Sequence, residues 1–467
     1  MCYTNEKPKK DDFPLPYEET TIAALASAPG AAGVAVVRVS GPQALPVLRR
    51  CFSRQEFAPR HLYYGTVKNG SHVADHGLAV YFPAPHSYTG EDCAEVHCHG
   101  GAQPVRAVLE ALFAAGAVPA QPGEFTKRAF LNGRLDLSQA EAVMDVIGAQ
   151  AEGARRLALH QLEGRLGRRV TALQDELLAL LAEIEVTVDY PEEDLEVPTA
   201  TAALRKLEGI AGSLGELLAT AHTGQTLREG VRCAIVGRPN AGKSSLLNAL
   251  LGAERAIVTA QPGTTRDTLD ASASIGGLAV TFVDTAGIRE AGDEVERLGV
   301  ERARSAMASA ALCLLVVDGS AGVTGEDRDI RAALGEVPAI LVWNKADLPA
   351  AMALEQAQAE LCCTDAVAVS ARTGEGIAAL EAAILRLCGA DQAAAESAVL
   401  SNQRHIHSAH QALTALQDAI AALRMGFPPD TAAVDIRAGW HALGQITGRT
   451  ADEDVIVLIF SRFCLGK

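Results

Sequence analysis

The sequence predicts a multidomain α/β protein. An N-terminal α+β domain is followed by a helical domain, and the helical domain is split by an inserted α/β domain. The 467 residues are enough for two to four domains with separate cores. Residues 230–388 alternate strand and helix patterns, and helical patterns rich in Ala, Leu and Glu lie on both sides of them. An insertion of this kind is tolerated where the two ends of the inserted domain lie close together.

The N-terminal region is predicted to begin with a flexible extension at residues 1–20 and to continue as a compact α+β domain over residues 21–135. One helix is expected at Gln103–Ala115. Short β-like runs, separated by Gly and Pro turns, are expected at Val34–Val39, Leu78–Phe82 and Ala94–Cys98.

The helical domain is predicted in two parts, residues 136–228 and 391–467. Apolar residues in the first part recur at three- and four-residue spacing, which is typical of a core-facing helix stripe. A plain helical bundle accounts for that stripe. The expected helical segments are Ser138–Val188, Thr201–His222, Glu396–Met425, Thr431–Thr447 and Ala451–Cys464.

Composition narrows the possible functions. A formal net charge of −16 argues against a broad basic surface for nucleic acid, so RNA would need a local patch or a basic partner. Ten cysteines without CxxC or zinc spacing do not indicate a disulfide or metal framework. Residues 1–20 lack an apolar core, and runs such as Ala311–Val317 are too short to span a bilayer. We therefore expect a cytoplasmic protein with reduced thiols and no membrane association.

The inserted domain, predicted over residues 229–390, carries a phosphate-binding loop and is a P-loop α/β domain. The apolar strand Val231–Val236 leads into Gly237-x-x-x-x-Gly242-Lys243-Ser244, and a helix is expected from Ser245 to Leu251. Backbone N–H groups at the start of that helix can hold phosphate oxygens. Lys243 is expected to reach the outer phosphates, and the Ser244 hydroxyl is expected to bind Mg²⁺.

Two further motifs are typical of the switch regions of nucleotide hydrolases. Within Gly263-Thr264-Thr265-Arg266-Asp267, the Thr265 hydroxyl can complete the Mg²⁺ shell. Asp284-Thr285-Ala286-Gly287 follows the strand Val280–Val283, so that Asp284 is expected to act through a metal-bound water and Gly287 to sense the γ-phosphate. The order of these motifs along the chain matches that of a G domain.

The base is selected by two later segments. Asn344-Lys345-Ala346-Asp347 follows the strand Ala339–Trp343, and the Asp347 carboxylate can pair with the ring N–H and amino group of guanine. Ser370-Ala371-Arg372 is expected to close over the base. The ligand is therefore GTP. The residues expected to contact it are Asn240, Ala241, Gly242, Lys243, Ser244, Ser245, Thr259, Ala260, Gln261, Pro262, Gly263, Thr264, Thr265, Asp284, Thr285, Ala286, Gly287, Asn344, Lys345, Asp347, Ser370, Ala371 and Arg372.

One expected catalytic group is missing from this set. Ras-like GTPases place a Gln after the DxxG motif to orient the attacking water, but this chain has Ile288 there. Another group must take that role, and no arginine finger is evident. The following loop, Arg289–Arg297, carries four carboxylates, most of which fit ordinary solvated surface charges.

With these motifs in place, the sequence closely resembles the MnmE (TrmE) family of tRNA modification GTPases from about Thr21 to Lys467. The specific marks are Ser87-Tyr88-Thr89-Gly90-Glu91-Asp92, His99-Gly100-Gly101, the run Pro122–Asn132, the G-domain motifs and the terminal Cys464-Leu465-Gly466-Lys467. The combination is far more specific than any one motif.

The resemblance implies a potassium-dependent GTPase. Asn240, Thr259, Gln261 and Thr264 would bind K⁺, with Thr259–Thr265 as the potassium loop. A monovalent cation between phosphates can neutralise developing charge as an arginine finger does. The resemblance assigns the water-orienting role to Glu296, which would supply the function that Ile288 lacks.

The resemblance also implies a folate-binding-like N-terminal domain. Arg38, Glu95, Arg134 and Lys467 would contact a tetrahydrofolate derivative, either 5-formyl- or methylene-tetrahydrofolate. Some relatives carry Lys in place of Arg134, which keeps the charge but changes the geometry. A lone cysteine is usually unreactive, whereas a nearby cation such as Lys467 favours the thiolate of Cys464. Covalent chemistry by Cys464 and simple lining of the pocket both remain open.

The function implied by the resemblance is addition of an aminomethyl-type group to C5 of the wobble uridine in certain tRNAs. The expected partners are a second copy of the chain, bound through the N-terminal domains, and an FAD-carrying MnmG-like protein in a heterotetramer or larger complex. The tRNA would be held mainly by that partner. Two alternatives are an Era-like ribosome-assembly GTPase, which should carry a basic domain with a GxxG loop, and a potassium-sensing or stress GTPase without tRNA modification.

Overall fold

The structure is a computed structural model that describes residues 20–189, 200–255, 270–284, 310–389, 398–464 and 466. The chain is a mixed α/β protein that divides into two compact units. The first unit comprises Met1–Met144, Gly167–Pro191 and Ala433–Lys467. The second comprises Asp145–Leu166 and Glu192–Ala432.

The described helices follow one another along both units, and none of them is long and apolar enough to cross a membrane. In chain order they are α1 (Ala44–Cys51), α2 (Ala102–Ala114), α3 (Glu124–Leu131), α4 (Leu137–Gly148), α5 (Glu152–Leu162), α6 (Arg165–Asp189), α7 (Ala200–Ala219), α8 (Ala221–Glu229), α9 (Lys243–Arg255), α10 (Gly325–Ala333), α11 (Leu354–Leu361), α12 (Ile377–Leu387), α13 (Gln403–Arg424), α14 (Pro429–Thr447) and α15 (Glu453–Ser461).

The first unit contains a six-stranded sheet. Its strands are β1 (Ile22–Leu25), β2 (Ala32–Ser40), β3 (Tyr63–Asn69), β4 (His72–Phe82), β5 (Cys93–Gly100) and β6 (Val118–Pro119). They lie in the order β3-β4-β5-β2-β1-β6, and β1 with β6 is the parallel pair in an otherwise antiparallel sheet. The predicted runs at Val34–Val39, Leu78–Phe82 and Ala94–Cys98 all lie within these strands, so those predictions are confirmed.

The two faces of this sheet differ because side chains alternate along each strand. Val37, Val39 and Val96 point to the face covered by α1 and α2, where they are fully buried with Val108 and Leu112. Arg38 lies between Val37 and Val39 in the sequence, and Glu95 immediately precedes Val96, so both occupy the opposite face. The alternation places two charged side chains together on one surface of the sheet.

The second unit is built on a sheet of six strands: β7 (Val231–Val236), β8 (Asp270–Ile275), β9 (Leu278–Asp284), β10 (Leu312–Asp318), β11 (Ala339–Asn344) and β12 (Asp365–Ala368). Their order is β12-β11-β10-β7-β9-β8, and only the β8–β9 pair of this described sheet is antiparallel. All six residues of β11 are buried, as expected for a parallel strand covered on both faces. The carboxyl ends of β7, β10 and β11 therefore meet at one edge, where ligands bind in such sheets.

Two helix predictions were wrong. The single helix expected over Ser138–Val188 is three helices, α4, α5 and α6. Glycines mark both breaks, because α4 ends at Gly148 and Gly164 follows α5 with a φ of 78°. A left-handed backbone suits glycine and stops a helix, whereas the apolar periodicity continues across the breaks. Likewise, the helix expected over Thr201–His222 is divided into α7 and α8.

Candidate functional site

The phosphate-binding loop joins the end of β7 to the start of α9, as the sequence predicted. Both of its motif glycines have positive φ, 150° at Gly237 and 98° at Gly242. A Cβ on Gly237 would lie 2.3 Å from the Val316 carbonyl oxygen, and one on Gly242 would lie 2.2 Å from Asn344 Nδ2. The loop therefore needs glycine at both positions, because its backbone passes directly against β10 and the end of β11.

Lys243 spans this loop from the first turn of α9. Its side chain is buried, and Nζ donates hydrogen bonds to the carbonyl oxygens of Gly237 at 2.8 Å and Arg238 at 2.9 Å. Asn240, Ser244 and Ser245 are exposed around it. An ammonium group beside the N-terminus of a helix is suited to a polyanionic phosphate chain.

Asn344 connects the phosphate loop to the segment expected to close over the base. It is buried, with Nδ2 donating to the Ala241 carbonyl at 2.8 Å and Oδ1 accepting from the Ala371 N–H at 3.2 Å. This one side chain fixes two loops that are separated by 130 residues of sequence. Asn344 therefore has a positional role, which the sequence motif did not reveal.

Asp347 and Lys345 are both engaged by side chains in this structure. Ser370 Oγ donates to Asp347 Oδ1 at 2.7 Å, and Arg372 Nη2 lies 2.7 Å from Oδ2. The hydrogen bond from Ser370 and the charge of Arg372 lower the pKa of Asp347, which keeps it an acceptor for guanine N–H groups. Lys345 Nζ lies 2.6 Å from Asp318 Oδ2. Asp318 is a part of this site that the sequence motifs did not include.

Several predicted nucleotide and ion contacts lie outside the described residues. Asp284 ends β9, but its side chain is not described. The predicted site residues that lie outside the described ranges are Thr259, Ala260, Gln261, Pro262, Gly263, Thr264, Thr265, Thr285, Ala286, Gly287, Glu296 and Lys467. Their assignments remain predictions. Among the side chains that are described, no cluster of three or more His, Cys, Asp or Glu residues could hold a metal ion.

A second candidate site lies on the sheet of the first unit. Arg38 in β2 and Glu95 in β5 are direct cross-strand partners, and Arg38 Nε donates to Glu95 Oε1 at 3.0 Å. The two side chains are only 16% and 19% exposed, so the pair is sheltered but reachable by a ligand. The other carboxylate oxygen, Oε2, is 3.5 Å from His97 Nε2. The antiparallel register thus unites two residues that the sequence predicted separately.

The aromatic ring of Tyr88 packs against the guanidinium group of Arg38. The guanidinium carbon lies 4.8 Å from the centroid of the Tyr88 ring and 5.8 Å from that of Phe125, within cation–π range. Tyr88 Oη is 2.8 Å from Thr126 Oγ1, and burial raises the pKa of this phenol. Two of the family-like motifs, the Ser87–Asp92 segment and the Pro122–Asn132 segment, therefore meet beneath Arg38. The sequence signalled both motifs but not this supporting role.

Arg128 ties the same two motifs together in the interior. Its side chain is only 4% exposed, and its guanidinium bonds to Glu91 at 3.2 Å, Glu124 at 2.7 Å and the Thr20 carbonyl at 2.8 Å. A buried arginine requires such partners, because an unpaired charge in the interior is strongly unfavourable. These contacts give Glu91, Glu124 and Arg128 a structural role that involves no ligand.

The C-terminal motif lies against the same sheet. Cys464 is exposed, and its carbonyl is 3.5 Å from the Gly123 N–H at the start of α3. A Cβ on Gly466 would lie 1.8 Å from the Leu25 carbonyl, and Leu25 pairs with Val37, the neighbour of Arg38. Arg134 is exposed, and its side chain lies beside Gly90. Arg38, Glu95 and Arg134 thus all belong to the first unit, whereas Lys467 lies outside the described residues.

Comparison with known families assigns both halves of the chain. The family described as "GTP-binding protein TrmE N-terminus" matches residues 21–134. The family described as "MnmE helical domain" matches residues 137–464. Together these matches span nearly the whole sequence.

Whole-length relatives agree with the domain matches, and each is described as a tRNA modification GTPase MnmE. The protein of Symbiobacterium thermophilum is 45% identical over 457 residues, which cover 96% of this chain and 100% of the relative. That of Heliobacterium modesticaldum is 43% identical over 463 residues, covering 96% and 99%. That of Latilactobacillus sakei is 41% identical over 456 residues, also covering 96% and 99%.

Proposed function

The chain belongs to the MnmE family of tRNA modification GTPases, and from this premise we propose that it adds an aminomethyl-type group to C5 of the wobble uridine in certain tRNAs. It hydrolyses GTP in the course of tRNA modification, as its family does. In the proposed reaction a tetrahydrofolate derivative supplies the one-carbon unit, and an FAD-carrying MnmG-like partner acts with it. Membership of this family over both parts of the chain decides against an Era-like ribosome-assembly protein.

The cross-strand pair of Arg38 and Glu95 is the observation that carries this proposal. A pterin presents an amino group and ring N–H donors, which a carboxylate such as Glu95 can accept. A folate tail carries carboxylates, which suit guanidinium and ammonium groups such as those of Arg38, Arg134 and Lys467. The Nε–Oε1 bond and the Tyr88 ring hold Arg38 in place before a ligand arrives. The donor set therefore fits a folate.

Within this site the chain's own residues bind and orient the ligand. The bound folate would supply an activated one-carbon unit. Glu95 would fix the pterin edge, and the cationic side chains would fix the tail. Cys464 lies exposed at the end of the same unit, where it could act as a nucleophile or line the pocket. We leave both roles of this thiol as alternatives for experiment.

The nucleotide site supports the proposed ion requirements. Asn240 has a left-handed backbone, with φ of 62°, and an exposed amide that can offer an oxygen to K⁺. With it, Thr259, Gln261 and Thr264 would complete the potassium site. Ser244, exposed at the start of α9, and Thr265 would bind Mg²⁺. Glu296 would orient the attacking water through hydrogen bonding, because the position after the DxxG motif is occupied by Ile288.

The proposed assembly is a homodimer joined through the first unit and bound to the MnmG-like partner. On β3 and β4, Tyr64 and Leu78 are cross-strand partners, 74% and 36% exposed, and Leu78 pairs in turn with His97. Exposed apolar side chains beside an edge strand support the proposal that a second copy of the chain binds over them. The net charge of −16 supports a division in which the partner holds most of the tRNA.

The helical domain is proposed to be split by the P-loop domain, with boundaries near residues 229 and 390. A single helical-domain match that extends over residues 137–464 supports this arrangement, because the P-loop sheet lies inside its span. The proposed domains are residues 1–20, 21–135, 136–228, 229–390 and 391–467.

Nucleoside analysis of tRNA tests the proposed reaction. Cells that lack this protein should lose the C5 modification of wobble uridine, and the wild-type chain should restore it. Glu95→Gln should fail to restore it, whereas Glu110→Gln, which alters the exposed Arg106–Glu110 pair, should succeed. Unchanged nucleosides in the deleted cells would contradict the proposal and favour a potassium-sensing or stress GTPase.

Hydrolysis assays test the ion and water assignments. GTP turnover should be faster in K⁺ than in Na⁺, and Glu296→Ala should abolish hydrolysis with GTP affinity nearly intact. Equal rates in the two salts would remove the potassium assignment. Cys464→Ser should leave hydrolysis unchanged, and normal tRNA modification in that variant would exclude a chemical role for the thiol.

A further inference from the structure

The end of α1 and the segment that leads from it into β3 carry a concentration of positive charge. Residues 49–68 contain four arginines, one lysine and a single carboxylate, that of Glu56. The segment therefore has a formal charge of +4 within a chain whose net charge is −16. Neither the nucleotide motifs nor the proposed folate contacts include it. A local cationic surface on an acidic protein attracts polyanions to one place.

Backbone carbonyl groups, and not carboxylates, hold the four arginines of this segment. The accepting oxygens, 2.6 to 2.9 Å from the guanidinium nitrogens, belong to Gln55 for Arg49, Ala115 for Arg50, Glu56 for Arg54 and His86 for Arg60. None of the four arginines lies within ion-pair distance of a carboxylate among the described residues. Their positions are therefore fixed by groups that leave their charges in place.

Exposed arginines elsewhere in the described ranges are commonly neutralised by a carboxylate. Examples are the pairs Arg106–Glu110, Arg155–Glu152 and Arg328–Glu360. Arg49 and Arg54 differ also in the atom that they use, because each donates to its carbonyl through Nε. Their Nη groups make no hydrogen bond to a described residue, and both side chains are exposed. The free end of a guanidinium is the part that binds phosphate oxygens in pairs.

Tyr63 orders the middle of this surface. The guanidinium carbon of Arg54 lies 3.9 Å from the centroid of the Tyr63 ring, within cation–π range. The His61 ring stacks on the same tyrosine, with centroids 6.3 Å apart and planes 29° apart. Tyr63 Oη accepts from the Ala58 N–H at 3.2 Å, which fastens the loop to β3. A cation that is already ordered loses less side-chain entropy when a ligand binds.

Two ordinary roles of surface cations account for only part of this arrangement. Charged side chains on an edge strand prevent pairing with other chains, and β3 lies at the edge of its sheet. Arg49, Arg54 and Arg60 all precede that strand. A cation in the last turn of a helix offsets the helix dipole, which suits Arg49 in α1. Arg54 and Arg60 lie outside any helix, so neither role explains them.

We propose that Arg49, Arg54 and Arg60, here called the basic patch, form a contact site for the sugar–phosphate backbone of tRNA. Guanidinium groups bind phosphates in bidentate geometry, and planar cationic and aromatic side chains are typical of RNA-binding surfaces. The inference rests on the proposed action of the chain on tRNA, and it adds a contact made by this chain to those of the MnmG-like partner. Phosphate contacts position an RNA without reading its sequence, so the basic patch serves each tRNA alike.

The salt dependence of RNA binding tests the basic patch directly. The full-length protein is titrated against a fluorescent, unmodified tRNA transcript with uridine at the wobble position, between about 50 and about 200 mM KCl. In the triple variant Arg49→Gln/Arg54→Gln/Arg60→Gln, affinity at the lowest salt should fall by roughly 10- to 30-fold. The slope of log affinity against log salt should fall by about 2 to 3, because each lost phosphate contact removes roughly 0.7 to 0.9.

Arg106→Gln is the matched control, since it removes one exposed arginine of α2 whose charge is already paired with Glu110. It should leave the salt slope unchanged and the affinity within about 2-fold of wild type. Arg54→Lys should keep the slope but lower affinity by about 2- to 3-fold, because lysine retains the charge without the bidentate geometry. GTP hydrolysis and the melting temperature should be the same in the triple variant and wild type. If the triple variant does not fold, the three single Gln variants decide, each lowering the slope by about 1.

The contrary results are distinct from failure of the proposed function. Unchanged affinity and slope in the triple variant would overturn the basic patch, even where cells that lack the protein lose the C5 modification. Persistence of that modification in the deleted cells would overturn the proposed function, and this site with it. Unchanged RNA binding together with loss of the MnmG-like partner from pull-downs of the triple variant would assign the surface to a protein interface and reject the RNA contact.

Discussion

The two candidate sites are built in opposite ways. The nucleotide site is largely a run of backbone, in which the residues from Gly237 to Ser244 join the end of one strand to the first turn of one helix. The site on the first sheet consists of side chains from separate strands, with Arg38 and Glu95 57 residues apart in the sequence. A site made of backbone groups is encoded by a contiguous sequence motif. A site made of side chains from separate strands forms only when those strands pair.

This difference also determines how each site can fail. In the loop, close approach to Val316 and Asn344 excludes any side chain at the two glycines, so single positions are critical. On the sheet, support is distributed: Tyr88, Thr126 and Phe125 all help to hold Arg38. We therefore expect changes in the loop to have larger effects than changes on the sheet.

The largest effect is expected for Lys243→Ala. Loss of the ammonium that contacts the outer phosphates should lower GTP hydrolysis by at least about 100-fold. Binding of 5-formyl-tetrahydrofolate, followed by calorimetry, should remain within about 2-fold of wild type. A large loss of folate affinity would show that the two sites are not independent.

Glu95→Gln should have the next largest effect, on the other site. Removal of the charge from the proposed pterin contact should weaken 5-formyl-tetrahydrofolate binding by about 10- to 30-fold. GTP hydrolysis should not change. Glu110→Gln serves as the control carboxylate, because its partner Arg106 is exposed on α2. Equal affinity in Glu95→Gln and wild type would remove Glu95 from the folate contacts.

Gly466→Ala tests whether the C-terminal motif completes the sheet site. A Cβ there would lie 1.8 Å from the Leu25 carbonyl, and φ is 90°, so the tail must move away from β1. Folate affinity should fall by about 10-fold if Lys467 is a ligand. Gly426→Ala is matched in φ, 84°, but meets no atom within 4 Å, and it should leave folate binding intact. Similar losses in both variants would indicate backbone strain alone.

The smallest effect is expected at Asp318, and it depends on pH. Burial raises the pKa of this carboxyl, but hydrogen bonds from Lys345 and Ser320 outweigh it, and the net pKa lies below the ordinary value of 3.8 for an aspartate. When the pKa of a carboxyl is lower in the folded state, its charge stabilises the fold at pH values above the unfolded-state pKa. That stabilisation is lost as the pH falls through the folded-state pKa. Asp318→Asn should therefore cost up to about 1 kcal/mol near pH 7 and almost nothing well below pH 3.8.

Tryptophan fluorescence can follow this change locally. Trp343 lies in β11 beside Gly319, so urea unfolding in a Trp440→Phe background reports on the relevant sheet. Asp329→Asn, an exposed carboxylate change on α10, is the control. A difference between Asp318→Asn and wild type that stays constant from pH 7 to pH 3 would contradict the role of the Asp318 charge.

The sequence predicted much of the local structure correctly. The phosphate-loop strand, Val231–Val236, was confirmed residue for residue, because an apolar run before a glycine-rich loop has few alternatives. The helix breaks near Gly148 and Gly164 were missed, since apolar spacing continues through them. The predicted GTP, potassium and folate contacts remain predictions, and part of them lie outside the described residues.

What the sequence determined by itself was the family and the phosphate loop, because both are carried by contiguous motifs whose backbone requirements admit few residues. Only the tertiary structure decided which distant side chains meet. The register of β2 against β5 unites Arg38 with Glu95, and the sheet edge brings Lys345 to Asp318. Such pairings depend on strand register and on loops meeting at a common edge. These are properties of the whole sheet and cannot be obtained from any one segment.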